Sequence, residues 1–434
     1  MSDLRADAPD SSEDDAAEDV FGEDAPGVEP RPRPPSGWRG GAPWMVALVV
    51  VVLASGFVAV RWHVAAEQQV GYFVQAGDVI ADPDDPPEGI PVLEDSWGYD
   101  GQYFWRLAND PFDIDSSHNE GLLIDTPYRT QRMGYPLLAW VITGGGRLSV
   151  AWALIVINVV AMGSIGALGA LEARRRGFTG WLGLSVAFLP AFFFSLSRDL
   201  AEPQACALLL AAVLALRRER WGLAAAAFSL AVLTREQVVV VVGVYGLARL
   251  WAIVKGRTGL TARDLPWIVP GVAFACIQGL LRVVGGTVPV LEGSGSNVVV
   301  PFTDLVPGVG EWIEQWPGIG WRHVAGVPIP VVEDLVRALP ELALMTVLVV
   351  VALLAPLPER WQWERAAVAV MAVLAVSLAS VVWEGPADLR TIADLAVMCW
   401  AIALAAAPRR VLVPLAVATP LVALLPAFAL IYLQ

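Results

Sequence analysis

The chain has 434 residues, 56% of them hydrophobic and only 17% charged, where soluble domains carry about a quarter charged residues. Its formal net charge of −14 is concentrated at one end, since residues 1–30 hold eleven Asp/Glu and one Arg. With runs of roughly 15–20 apolar residues recurring nearly end to end, this predicts an all-α polytopic membrane protein. It excludes a soluble enzyme, a disulfide-stapled secreted domain and a nucleic-acid binder.

Residues 1–42 read as a disordered acidic cytoplasmic tail, because Asp, Glu, Pro and Ala dominate and large apolar residues are almost absent. The first apolar run, Trp44 to Val60, follows Arg31, Arg33 and Arg39. A signal peptide would open on a basic stretch at the terminus itself, so an uncleaved anchor is expected. The basic flank puts the N-terminus in the cytoplasm. Residues 43–434 then form the membrane domain.

Further spans are expected at roughly 149–171, 180–197, 200–216, 221–233, 237–253, 266–283, 339–356, 366–383, 394–407 and 411–432, about eleven with the first. Alternate connections are arginine-rich, and the cytoplasmic set holds 18 of the 29 basic residues. That asymmetry predicts an N-in, C-out topology. The 28 Arg against one Lys, Lys255, point to a GC-rich bacterial genome and so to the plasma membrane.

Two outer loops, 62–148 and 284–338, are too long to be simple connectors. In the first, Gly144 to Gly146 reads as a flexible break, and Pro136 to Thr143 as either the start of the second span or a separate interfacial helix. In the second, Trp312, Trp316 and Trp321 read as interfacial anchors or loop packing, or as sugar or lipid contacts. The segment 221–253 has arginines at both ends and Thr234-Arg235-Glu236 in the middle. Parity makes it a hairpin with those residues at its outer tip. Charge is costly there unless it lines a wet cavity.

The ionisable residues at outer span ends are Asp100, Arg106, Arg129, Arg132, Arg198, Asp199, Glu202, Arg235, Glu236, Glu384, Asp388, Arg390 and Asp394. They come from four separate connections. As a set they are expected to converge on one pocket; singly, each also reads as an interface charge or helix cap. Cys206, Cys276 and Cys399 read as core packing. His63, His118 and His323 are scattered, and Asp113-Ile114-Asp115 lacks a nucleotide-sugar fold around it. No cofactor is implied; a divalent metal is possible but not indicated.

Asp100 stands in Trp97-Gly98-Tyr99-Asp100-Gly101-Gln102-Tyr103-Phe104-Trp105-Arg106. The Asp-Gly pair suggests a turn and the following aromatics an amphipathic helix at the interface. A carboxylate held there suits a general base, or simply a turn or cap. Residues 99–111, Tyr-Asp-Gly-Gln-Tyr-Phe-Trp-Arg-Leu-Ala-Asn-Asp-Pro, resemble the first outer loop of bacterial GT-C-type glycosyltransferases, distantly similar to PIG-V-like mannosyltransferases. Asp125-Thr126-Pro127-Tyr128-Arg129-Thr130-Gln131-Arg132-Met133-Gly134-Tyr135-Pro136-Leu137-Leu138-Ala139-Trp140 resembles that group's next motif. Ser197-Arg198-Asp199-Leu200-Ala201-Glu202-Pro203 and Leu233-Thr234-Arg235-Glu236 fit the same pattern, over about 95–253.

The resemblance implies a GT-C-like fold and transfer of a sugar from a polyprenyl-phosphate-linked donor to a cell-envelope glycan or glycolipid acceptor, on the outer side and with inversion. It implies Asp100 as the catalytic carboxylate, serving as base or acceptor-orienting group. Arg235 first, then Arg129, Arg132 and Arg390, would hold the donor phosphate, because arginine offers a planar fork that keeps its charge. Asp199 or Glu202 would be a second carboxylate, holding an acceptor hydroxyl or fixing an arginine, with Tyr99, Gln102, Tyr103 and Glu236 in support. A transporter or flippase of lipid-linked sugars, or a non-catalytic envelope-assembly protein, remains the alternative.

Overall fold

A computed structural model describes residues 40–114, 118–124, 127–146, 149–292, 298–314, 320–324, 327–331, 334–379, 383 and 386–432. The expected acidic tail lies outside them up to residue 39.

The first helix, α1 (Pro43–Val64), opens on a proline, whose fixed φ and missing donor suit the first helical position. Its valine run disfavours a helix in water. In a bilayer every backbone group must be satisfied within the segment, which overrides that preference. Val46, Val50, Ala54 and Phe57 are buried along one face, against α4 (Val150–Arg175). The approach depends on small residues: a Cβ on Gly163 would lie 2.7 Å from Val51 Cγ2. Arg61 ties α1 to the last helix, donating to the Leu430 carbonyl.

Between α1 and α4 run α2 (Asp100–Asn109), a 3-10 turn (Pro127–Gln131) and α3 (Gly134–Thr143). The helix at 134–143 is therefore separate from the following span, and Gly144, Gly145 and Gly146 all take positive φ between them. Next come α5 (Gly183–Ala187), α6 (Pro190–Leu196), α7 (Glu202–Arg217), α8 (Trp221–Thr234), α9 (Val238–Val254) and α10 (Leu265–Gly285). The second long loop contributes α11 (Leu305–Glu314) and a hairpin pairing Gly320–Val324 with Val327–Val331. The chain ends with α12 (Asp334–Leu354), α13 (Gln362–Ala375), α14 (Ala393–Ala406) and α15 (Arg409–Tyr432).

Helices stand near ten of the predicted runs. The run 180–197 is instead broken into a 3-10 turn, α5 and α6. Pro190 explains the break, since proline pushes the preceding residue out of the helical region and Leu189 has ψ 139°. Five helical segments among the described residues are long and apolar enough to cross a membrane: Pro43–Val64, Val150–Arg175, Ala262–Gly285, Leu389–Ala406 and Arg409–Ile431. In their 18-residue apolar stretches, 89% of residues are buried for Leu389–Ala406 and only 17% for Ala262–Gly285, so α14 is central and α10 peripheral.

Two expectations need correction. Residues 101–108 of α2 are all buried, so this helix is packed under the loop rather than lying at an interface. Cys276 is exposed, on the peripheral α10, and is not core packing.

Candidate functional site

The site is assembled at one end of the bundle from the start of α2, the 127–133 segment, the α8–α9 tip, the start of α7 and the 386–392 turn before α14. Asp100 is the first residue of α2, after an extended Tyr99, and begins a helix instead of a turn. Gln102 holds this corner in place: its Nε2 donates to the Trp97 carbonyl at 2.8 Å and its Oε1 accepts from Gly77 N at 3.1 Å. The start of α3, directly after the 127–133 segment, is pressed against the hairpin tip, since a Cβ on Gly134 would lie 2.5 Å from Thr234 Oγ1. Arg235 and Glu236 sit between α8 and α9, as the hairpin reading expects, with Arg235 only 2% exposed.

These elements bring three arginines to one carboxylate. Arg129 donates to Asp100 Oδ1, while Arg132 Nη1 and Arg390 Nη2 reach Oδ2 at 3.4 and 3.2 Å. Arg390 Nη1 also donates to Glu202 Oε1 and its Nε to the Tyr99 hydroxyl at 3.1 Å. Arg235 Nη1 lies 2.7 Å from Glu202 Oε1, off the line of a hydrogen bond, and its Nη2 donates to Gln237 at 3.1 Å. Arg132 forks onto Glu236 with bonds of 2.9 and 2.8 Å, and the Tyr128 hydroxyl donates to Glu236 as well. Aromatic faces back the guanidinium groups: Arg129 lies 4.1 Å from the Tyr103 ring centre and Arg390 4.8 Å from that of Tyr99.

The electrostatics follow from this crowding. Burial alone would raise the Asp100 pKa, but Arg129, Arg390 and Arg132 outweigh it and hold the carboxyl well below its usual range. Glu236 is likewise buried, yet Arg132 and the bonds from Arg132 and Tyr128 bring it down to about 2. Burial and the Glu236 charge push Tyr128 up to about 12.

Beside the cluster is a cavity of about 290 Å³. Tyr128, Glu236, Gln237, Thr391 and Asp394 are its polar lining residues, and Val240, Val290, Met371 and Leu378 are among its apolar ones. Asp394 Oδ1 accepts from Cys206 Sγ at 3.1 Å. A mostly apolar cavity next to an arginine cluster suits an amphipathic ligand with an anionic head.

Of the residues singled out from sequence, Asp100, Glu202, Arg129, Arg132, Arg235, Arg390, Tyr99, Tyr103 and Glu236 meet in this cluster, and Gln102 supports it from behind. Asp199 faces elsewhere. It is fully buried at φ +50°, its oxygens accept no hydrogen bond among the described residues, and burial raises its pKa well above the carboxylate range against the pull of Arg61. Arg198 stacks on Phe194 at 4.1 Å. Glu384, Asp125, Asp115 and Trp316 lie outside the described residues, as do the side chains of Asp388, Trp312 and Trp321. Sequence reasoning missed the parts of Tyr128 and Cys206. A tyrosine inside a charged motif was a signal; an isolated cysteine in an apolar run was not. Among the described residues no group of three or more His, Cys, Asp or Glu side chains is gathered as for a metal ion. No protein-family model, curated protein or solved structure matches the chain.

Proposed function

We propose that the chain is a membrane glycosyltransferase that moves a sugar from a polyprenyl-phosphate-linked donor to a cell-envelope glycan or glycolipid acceptor on the outer side of a bacterial plasma membrane. One observation carries the reading: a single carboxylate, Asp100, is met by three arginines from two segments far apart in the chain, beside a cavity with a largely apolar lining that includes Tyr128, Glu236 and Asp394. The resemblance in the Asp100 and Arg129–Arg132 motifs supports it.

In this reading the acceptor oxygen attacks C1 of the sugar while the C1–phosphate bond breaks, and polyprenyl phosphate leaves. The acceptor proton passes to Asp100. Charge accumulates on the departing phosphate, where preorganised arginines are most effective. As found, Asp100 is a weak base because three guanidinium groups stabilise its charged form. A donor phosphate would compete for Arg129, Arg132 and Arg390, since arginine forks bind phosphate and carboxylate alike. That exchange frees the Asp100 oxygens and raises their basicity as the substrate arrives. Glu202, held by Arg390 and Arg235, keeps these two arginines in place and orients the acceptor.

The test is transfer in reconstituted vesicles supplied with labelled polyprenyl-phosphate mannose, glucose, arabinose or galactose and envelope lipid extract. Label in a new glycan or glycolipid product is expected. Label crossing the bilayer without a new product would favour a flippase instead.

A further inference from the structure

At the opposite end of the bundle a second cavity, of about 640 Å³, is lined by Glu172, Arg175, Arg176, Arg217, Arg360 and Trp361 among others. Helix α7 separates it from the Asp100 cluster, with Glu202 at one end and Arg217 at the other, roughly 20 Å apart at 1.5 Å per residue.

The arginines here are not equivalent. Arg217 is consumed internally: its Nη1 donates to Glu172 Oε1 at 2.9 Å and its Nε to Glu364 Oε1 at 3.0 Å. Arg176 caps α14, donating to the Ala407 carbonyl at 3.0 Å. Arg175 and Arg360 form no ion pair within 4 Å among the described residues, and the Arg360 guanidinium lies over the Trp361 ring at 5.2 Å. Next to them, Arg218 has two buried nitrogens, Nε and Nη2, without a hydrogen-bond partner among the described residues. Glu172 adds an opposite demand: it is 5% exposed, and its Oε2 accepts no hydrogen bond among the described residues.

A ligand that satisfies this cavity carries an anion for Arg175 and Arg360 and, close by, a hydrogen-bond donor for Glu172. A bare phosphate meets only the first need, and an amine-bearing zwitterion would forfeit the excess positive charge. A phosphate ester with a free hydroxyl meets both, and the position at a bundle end, with an indole at the wall, matches a lipid headgroup. We infer that this cavity holds the headgroup of a hydroxyl-bearing anionic phospholipid, its phosphate paired with Arg175 and Arg360 and its hydroxyl donating to Glu172. The inference is independent of the proposed transferase activity.

The experiment uses the full chain in phosphatidylcholine nanodiscs doped with phosphatidylglycerol, with retained lipid counted by native mass spectrometry. The wild type is expected to keep one phosphatidylglycerol selectively. Arg175→Ala with Arg360→Ala is expected to weaken its retention about twenty-fivefold, at about fivefold per arginine. Both side chains are exposed, so folding should survive, and an unchanged unfolding temperature checks this. Arg409→Ala with Arg410→Ala removes equal charge from the same end outside the cavity and is expected to leave retention unchanged. Equal loss in both double variants, or no selective retention by the wild type, would overturn the site. Soluble glycerol 1-phosphate binding as tightly as the lipid would overturn the lipid assignment.

Discussion

Arg390 offers the sharpest test of how the cluster is built, because it joins both carboxylates on which the site depends. Its side chain is 8% exposed and that of Glu202 3%. Arg390→Ala leaves Glu202 buried with Arg235 as its remaining cation, and Asp100 with two arginines in place of three. Removing one partner of a buried ion pair costs about 3–5 kcal/mol, because the other charge stays buried. Arg235 still faces Glu202 at 2.7 Å, so the lower end, about 3 kcal/mol, is expected. Glu202→Gln removes the same contact from the other side. The double variant strands neither group, so its cost should fall short of the sum of the single costs by about 2 kcal/mol, within the 0.5–3 kcal/mol typical of contacting residues. The assay is denaturant unfolding in mild detergent, followed by the fluorescence of the 18 tryptophans. Additivity within about 0.5 kcal/mol would refute the claim that the two residues share one buried pair.

Arg132→Lys should cost about 1–2 kcal/mol and lower transfer, since a point charge replaces the fork that makes two bonds to Glu236; equal stability by the same unfolding assay would contradict the geometry. Gly134→Ala should cost about 1–3 kcal/mol by overpacking against Thr234, whereas Gly222→Ala, with nothing within 4 Å of the added carbon, should be neutral or slightly stabilising. Glu236 has its pKa lowered on folding to about 2, from about 4.3 in the unfolded chain. Its contribution is therefore complete above about pH 4.3 and lost as pH falls toward 2. Unfolding measured across this window should show a weaker acid-side decline in Glu236→Gln than in the wild type.

Much of the cluster was legible because charge in an apolar sequence is conspicuous. Arg235 and Glu236 are the only charges in residues 221–248 of the hairpin, and flanking arginines fixed which end they occupy. Asp100 and Arg129 stood out by their motifs. Where packing decides, the sequence said less. The aromatic run after Asp100 has the pattern of a surface helix, but burial of all of 101–108 depends on a loop whose path is set by Gln102 and its backbone partners. Pro190 signalled a break in the run 180–197, yet hydropathy alone merges α5 and α6 into one span. The buried Glu172–Arg217–Glu364 group was hidden because each member sits near a span end, where charges are ordinary. Asp199 lies three residues from Glu202, yet its positive φ turns it away from the arginines that Glu202 meets, and no residue pattern announces that turn.

The most direct test of the central claim is single-turnover sugar transfer by Asp100→Asn, with donor binding measured in the same preparation. Asparagine keeps the size of the side chain and gives up the proton acceptor. The account predicts donor binding at least as tight as in the wild type, because the arginines no longer share their charge with a carboxylate, and transfer slower by about 10²–10⁴-fold, the usual contribution of a general base. Transfer by Asp100→Asn at a rate near the wild type's would contradict it.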